Sequence, residues 1–324
     1  MSTHRNAADH SLPEEKPLPQ GRRFDALLKW LSLHARTACR GVVLLVCSAL
    51  FLAGSSSVFS LPFIPSWKSM EPGFEIGSFA IGRQKGIEKH VVIARFDPEL
   101  FDFVAVSAMF PGKKMQTLRD WVQSENLVAA INAGMFRENG LTHTGLFRFG
   151  ELVNNSHVAE RFGAFFVALP HGEGKLPRAA VLDRTADDWQ EILPRYAVAV
   201  QNFRLIGADG TSPWRGRGEE HPVSAVGMDL KGRILFIHCR EAVSVSFLAE
   251  SLIALPLDLK QTMYVEGGSE ASLAVREGEK MYVWSGRGKG DLLPNGFLLP
   301  NIIGVRRRSQ EKVPVQVNAE PGQK

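Results

Sequence analysis

The stretch SAVGMDLKGRILFIH, residues 224–238, decides the fold class. Two apolar runs, 224–230 and 233–238, flank Lys231 and Gly232. A two-residue break containing glycine between such runs reads as a tight β-hairpin. The same grammar spreads in both directions. Upstream, 163–169 and 179–183 bracket His171-Gly172-Glu173-Gly174, and 90–96 and 103–107 flank the turn formers Asp97 and Pro98. Downstream, 262–265, 281–284 and 302–306 are further strand-like runs. Helical periodicity is confined to 117–125 and 246–255, where Phe247, Leu248, Ser251, Leu252 and Leu255 share one face. Hairpins interspersed with few helices predict an α+β domain with a mixed β-sheet, not the regular alternation of a doubly wound fold.

Working outward, the folded part is expected as one exported domain over 74–308, since no repeat or proline-rich linker divides it. The polar tail 309–324 is expected to be disordered. Pro62, Pro65 and Pro72 predict a stiff stalk over 61–73. Ahead of it, no charged residue occurs between Arg40 and Lys68. Residues 41–60 are long enough, at about 1.5 Å per residue, to cross a hydrocarbon core of about 30 Å. The basic flank 22–40 then places residues 1–40 in the cytoplasm as a basic tail. The expectation is a single-pass inner-membrane signal anchor with the C-terminal domain in the periplasm. A cleaved signal peptide ending near Ala53-Gly54-Ser55 is the alternative, and gives a periplasmic or secreted protein.

Charge narrows the partners. The chain has 38 Lys and Arg against 34 Asp and Glu, of which seven and four lie in residues 1–40. The remainder is nearly neutral, so a nucleic-acid footprint is excluded. A composition of 44% hydrophobic and 22% charged residues excludes wholesale disorder. Three cysteines make no disulfide framework, and Cys239 reads as a buried small hydrophobe. No His or Cys spacing suits zinc, so no cofactor is expected, with a calcium site built from scattered oxygens left open. Nothing in the sequence fixes the oligomeric state.

The chemistry-bearing segment is MYVEGGSEASL, residues 263–273. An apolar strand ends at Glu266, Gly267 and Gly268 make a tight turn, and Ser269 can cap a short helix. Such a turn aims backbone N–H groups at an anion or a sugar-phosphate oxygen. Glu266 and Glu270 flank it, and paired carboxylates are what glycosidic cleavage needs. A serine-hydrolase elbow fails on chain order, because all nine histidines lie at or before His238. In AAINAGMF, residues 129–136, Asn132 ends a strand before Gly134, with Arg137 just beyond. It can serve as a ligand-facing amide or as a turn former. In AVQNFRLI, residues 199–206, Gln201 and Asn202 can face a sugar or be satisfied by backbone. The loop Gly286-Arg287-Gly288-Lys289-Gly290 lacks nucleotide-binding spacing.

Together, and in this order, AAINAGMF, TGLF, AVQNFRLIGADG, SAVGMDLKGRILFI, FLAESL, MYVEGGSEASL and PNIIGV resemble the phosphodiester glycosidase family. That family includes the lysosomal uncovering enzyme and bacterial proteins associated with exopolysaccharide. The resemblance runs from about Val91 to Val305. It implies an α+β domain that cleaves a sugar from a sugar-1-phosphodiester, hence a saccharide or glycosyl-phosphate substrate from cell-surface polysaccharide metabolism. On this pattern Asn132, Glu266 and Glu270 are the catalytic candidates. Gly134, Arg137, Gln201, Asn202, Gly267, Gly268, Ser269 and Asn301 are the substrate-binding ones. Glu266 stands where the family usually has Asp. Val223 stands where it usually has Arg, so His221 or Arg217 would supply the missing cation. A glycan-binding module that keeps the fold without turnover is the alternative.

Overall fold

Short apolar runs separated by glycine turns fold into hairpins, and the described residues build three large antiparallel sheets and a two-stranded one from them. The computed structural model describes residues 67–216, 218–286 and 296–308. The strands begin with β1 (Lys68–Glu71), β2 (Phe74–Gln84), β3 (Ile87–Phe96), β4 (Phe101–Ser107) and β5 (Gln116–Thr117). After helix α1 (Leu118–Ser124) come β6 (Ala129–Asn132), β7 (Phe147–Phe149), β8 (Leu152–Asn155), β9 (Ala164–Pro170) and β10 (Ala179–Asp183). Helix α2 (Trp189–Ile192) leads to β11 (Tyr196–Asn202), β12 (Arg204–Ile206), β13 (His221–Asp229) and β14 (Ile234–Val243). Helix α3 (Val245–Ala254) precedes β15 (Leu259–Gly267), β16 (Ser272–Glu277), β17 (Lys280–Ser285), β18 (Leu298–Leu299) and β19 (Asn301–Arg307).

The largest sheet runs β1-β2-β3-β14-β13-β15-β12, with the 224–238 hairpin at its centre. Two five-stranded sheets run β10-β9-β11-β7-β8 and β17-β16-β6-β19-β4. The inner faces of all three meet in one core, where Phe96 stacks on Phe74 at 4.4 Å and meets Phe103 and Phe236 edge-on. The outer face of the large sheet is covered by α3 through Leu248, Ala249 and Leu252. The outer face of the β17–β4 sheet is covered by α1 through Leu118, Trp121 and Val122. Both helices start on side-chain caps. Thr117 Oγ1 accepts from Asp120 N at 3.2 Å and Ser244 Oγ from Phe247 N at 3.3 Å, each worth about 1 kcal/mol.

Three expectations are corrected. Every ladder among the described residues is antiparallel, so the sheets are not mixed. The reason lies at α3: it carries the chain from β14 over to β15, but β13 sits between them and pairs antiparallel with both. The expected stalk overlaps folded chain. Lys68–Glu71 is the edge strand of the large sheet, Met70 packs on the central core, and Trp67 takes the Arg95 guanidinium over its ring at 3.7 Å. Finally, no helix follows the glycine turn; Ser272–Glu277 is a strand paired with β6 and β17. Cys239 is fully buried, and burial pushes its thiol up to about 12.

The expected cytoplasmic tail, the anchor at 41–60, the polar tail and the residues Arg217, Arg287 and Lys289 lie outside the described residues. Among the described residues no helix is long and apolar enough to cross a membrane.

Candidate functional site

A β-bulge sets the site. On β15 the register steps from Tyr264, opposite Ala225, to Glu266, opposite Ser224, so Val265 has no partner of its own on β13. The freed carbonyl of Val265 instead accepts a 2.8 Å hydrogen bond from Asn202 Nδ2. Directly opposed residues share a face. The bulge therefore turns Glu266 to the face of Ser224, whose hydroxyl lies 3.2 Å from His238 Nδ1. Bulges commonly re-aim a side chain in this way.

Glu266 sits at the strand end, where burial pushes its carboxyl up to about 8. The negative charge of Glu270 acts in the same direction, while the Gly267 N–H, donating to Oε1 at 3.1 Å, opposes it. Glu266 is therefore protonated at neutral pH. Glu270 Oε2 accepts from the Ser269 hydroxyl at 3.0 Å.

The glycine turn is tightly packed. A Cβ on Gly267 would lie 2.2 Å from His221 Cε1 and 2.7 Å from Tyr264 Oη. Gly268 has φ +88°, and its N–H donates to Pro222 O at 2.9 Å. The expected anion cradle is thus altered: the N–H groups of Gly267 and Gly268 are spent within the protein. Those of Ser269 and Glu270 have no partner among the described residues. The His221 ring, whose Nδ1–H donates to Pro222 O at 2.9 Å, lies against the turn. Val223, opposite Gly267, packs into the outer core with Cys239 and Tyr264 and is fully buried.

The corner after β6 meets this strand end. Asn132 is buried; its Oδ1 accepts from Ser272 N at 3.0 Å, and its Nδ2 has no partner among the described residues. Gly134 follows at φ +124°, where a Cβ would lie 2.2 Å from Asn202 Nδ2 and 3.1 Å from Val265 O. The fold thus gathers Gly134 and Asn202 against the Val265 carbonyl, one residue before Glu266, while Asn132 meets the chain beyond the turn through Ser272. The other predicted residues brace this arrangement. Gln201 is fully buried, bonding Ala159 N and O at 2.8 Å each and Phe162 O at 3.1 Å. Asn202 is held by Val265 O and Phe203 N. Asn301 gives its Nδ2 to Leu141 O at 3.1 Å and accepts from Asn154 Nδ2 at 3.1 Å. Arg137 is exposed on the intervening loop, its N–H on Thr142 O.

Three polar residues here escaped the sequence reading. His143 is fully buried, with its Nε2 3.2 Å from Ala133 O and its Nδ1 accepting from Gly145 N at 3.1 Å. Burial lowers its pKa, so it is a neutral brace. Asn154 Oδ1 accepts from His143 N at 2.7 Å, and its amide reaches Ser107 Oγ at 2.8 Å. His238 is pushed down to about 3 by burial, and its Nε2 has no partner among the described residues. Its one sequence signal was an imidazole inside an apolar strand. Among the described residues no three His, Cys, Asp or Glu side chains cluster to hold a metal.

Residues 125–306 match the family profile described as Phosphodiester glycosidase. The fold is similar to the zebrafish N-acetylglucosamine-1-phosphodiester alpha-N-acetylglucosaminidase catalytic domain, auto-inhibited by its pro-peptide. The TM-score is 0.53 at 12% identity, over 75% of this chain and 87% of that one. It is equally similar to a hypothetical protein from Synechocystis, with TM-score 0.53 and 12% identity over 76% of this chain. The match spans 64% of the Synechocystis chain, less than two thirds of its length. No curated protein matches the chain in sequence.

Proposed function

The chain belongs to the phosphodiester glycosidase family, and from that premise we propose that it hydrolyses the bond between C1 of a sugar and a phosphodiester oxygen. One observation carries the reading: Glu266, whose carboxyl burial pushes up to about 8, ends a bulged strand whose Val265 carbonyl lies against the Gly134 corner, and Asn132, just before that corner, has an amide Nδ2 with no partner among the described residues. As the C1–O bond breaks, Glu266 gives its proton to the departing phosphate oxygen. A water oxygen bonds to C1 and its proton passes to Glu270, so the sugar leaves with a free C1 hydroxyl. Asn132 Nδ2 donates to the substrate, and the Ser269 and Glu270 N–H groups meet a phosphate oxygen. Gln201, Asn202 and Asn301 hold the frame.

The full-length chain should release free sugar from a glycosyl-1-phosphodiester, and Glu266→Gln should cut that rate by about a hundredfold or more, the scale of a lost general acid. The wild-type rate should fall as pH rises through about 8, where Glu266 loses its proton. Full activity in Glu266→Gln defeats the assignment. Saturable binding without sugar release identifies a glycan-binding module instead.

We further propose that residues 41–60 anchor the chain in the inner membrane with this domain in the periplasm, acting on a cell-surface glycan. What supports it is the uncharged span behind a basic flank. A reporter active only outside the cytoplasm, fused after Arg308, should be active; activity of a cytoplasm-only reporter at the same junction contradicts the placement.

A further inference from the structure

Beside the edge strand β12 lies a cleft of about 350 Å³, lined by Arg161, Phe203, Arg204, Pro213, Trp214 and Arg215. Its aromatic wall is fixed: Trp214 Nε1–H donates to Arg204 O at 2.9 Å, and the indole meets Phe203 edge-on at 5.8 Å. The indole also packs 5.5 Å from the Tyr264 ring, and the Tyr264 hydroxyl lies against Gly267. One aromatic layer thus runs from this cleft to Gly267, the residue after Glu266.

The charges in the cleft are unequal. Arg204 is committed to Asp183, at 2.8 Å. Nearby Asp209 is turned onto Thr211, bonding its N at 2.9 Å and its Oγ1 at 2.8 Å. Among the described residues Arg215 has no carboxylate partner and donates only to the main-chain carbonyls of Ser212 and Trp214. Arg161 is exposed and has no side-chain bond among the described residues. Guanidinium forks recognise planar carboxylates and phosphates, and an indole or phenyl ring packs on the apolar face of a pyranose. The volume lies at the lower end for small-ligand sites and suits one or two sugar rings.

We propose that this cleft is a saccharide subsite for an acidic sugar, with the ring on Trp214 and Phe203 and its carboxylate or phosphate on Arg161 and Arg215. It rests on the glycosidase reading only for the claim that this sugar belongs to the substrate. The substrate is then an anionic glycan, cleaved at Glu266 and held through an acidic residue here.

The test is calorimetric titration of the full-length chain with a hexagalacturonate, with neutral maltohexaose and with inorganic phosphate. The acidic hexamer should bind about tenfold or more tightly than the neutral one, the scale of a charge-assisted hydrogen bond, and more weakly at high salt. The double variant Arg161→Ala with Arg215→Ala should lose about tenfold or more, while the double lysine variant, which keeps the charge, should lose less. Both arginines are exposed, so folding should survive either change. Hydrolysis of a small glycosyl-1-phosphodiester should persist in the alanine variant, and Glu266→Gln should leave the titration unchanged, so this proposal and the catalytic one fail separately. Equal binding of the neutral hexamer, an unaffected alanine variant, or inorganic phosphate binding as tightly as the hexamer would each overturn it.

Discussion

At the scale of the residue, Glu266 ties stability to pH. Its carboxyl ordinarily titrates near 4.5 and in the folded chain near 8. Between those values the native state holds a proton that the unfolded chain has lost, so stability falls as pH rises through that window and stays low above it. Glu266→Gln removes the titrating group. Its melting temperature should therefore gain on the wild type from pH 5 to about 8 and level off above that, although the same change should cut turnover about a hundredfold. Parallel melting curves across that range would mean the carboxyl is not buried as described. Gly134 is the second sensitive position. With φ +124° and Asn202 Nδ2 standing 2.2 Å from where a Cβ would go, Gly134→Ala combines backbone strain with a clash. It should cost roughly 1–3 kcal/mol or more and displace Asn132, lowering activity even where the protein is still folded. An alanine variant with wild-type stability and rate would show that this corner is looser than its contacts suggest.

At the scale of the element, apolar runs and glycine breaks were enough to find most strands, because a hairpin is local. The apolar run 179–183 reads as a strand on its own and is β10. The elements that were missed depend on distant partners. Lys68–Glu71 carries no alternating pattern and follows prolines, and it is a strand only because β2 offers an edge. The turn at Gly268 reads locally as a helix start. The N–H of Ser272 is instead claimed by Asn132, from a strand far away in sequence, and the chain continues as β16. The site divides in the same way. Strand ends before glycines flagged Asn132, Gly134 and Glu266, whereas His143 and Asn154 act by bracing the loop between β6 and β7, which no local pattern reveals. Strand alternation also decides the fate of Val223. It points into the outer core, on the face opposite to Ser224, so a cation there would be buried among Cys239 and Tyr264 behind Gly267. Val223→Arg should destabilise by roughly 3–5 kcal/mol, the cost of an uncompensated buried charge, and should not restore phosphate binding. A folded variant with tighter phosphodiester affinity would reverse this conclusion and make the hairpin part of the pocket.

At the scale of the molecule, the last strand holds the sheets together. β19 lies between β4 and β6, pairing Asn301–Arg307 along the whole of Phe101–Ser107 and Ile302–Val305 against β6. It arrives late in the chain, so a central ladder must wait for residues some 200 positions downstream of its partners. Ile302, Ile303 and Val305 are fully buried there, and Gly304 lets Leu127 approach to 2.5 Å of where a Cβ would stand. Three such side chains contribute roughly 1.5–3 kcal/mol each. That sum is comparable with the whole stability of a domain, about 5–15 kcal/mol. Losing β19 would also leave facing edges of β4 and β6 unpaired and would release the Asn301 amide that braces the loop behind Asn132. A chain ending at Pro300 should therefore show no cooperative thermal transition and no activity. A chain ending at Arg308 should melt like the full-length protein, because every partner of β19 is then present. A cooperative transition in the shorter chain, at a temperature near that of the longer one, would show that β4 and β6 can close on each other and that the strand order described above is not what stabilises the site.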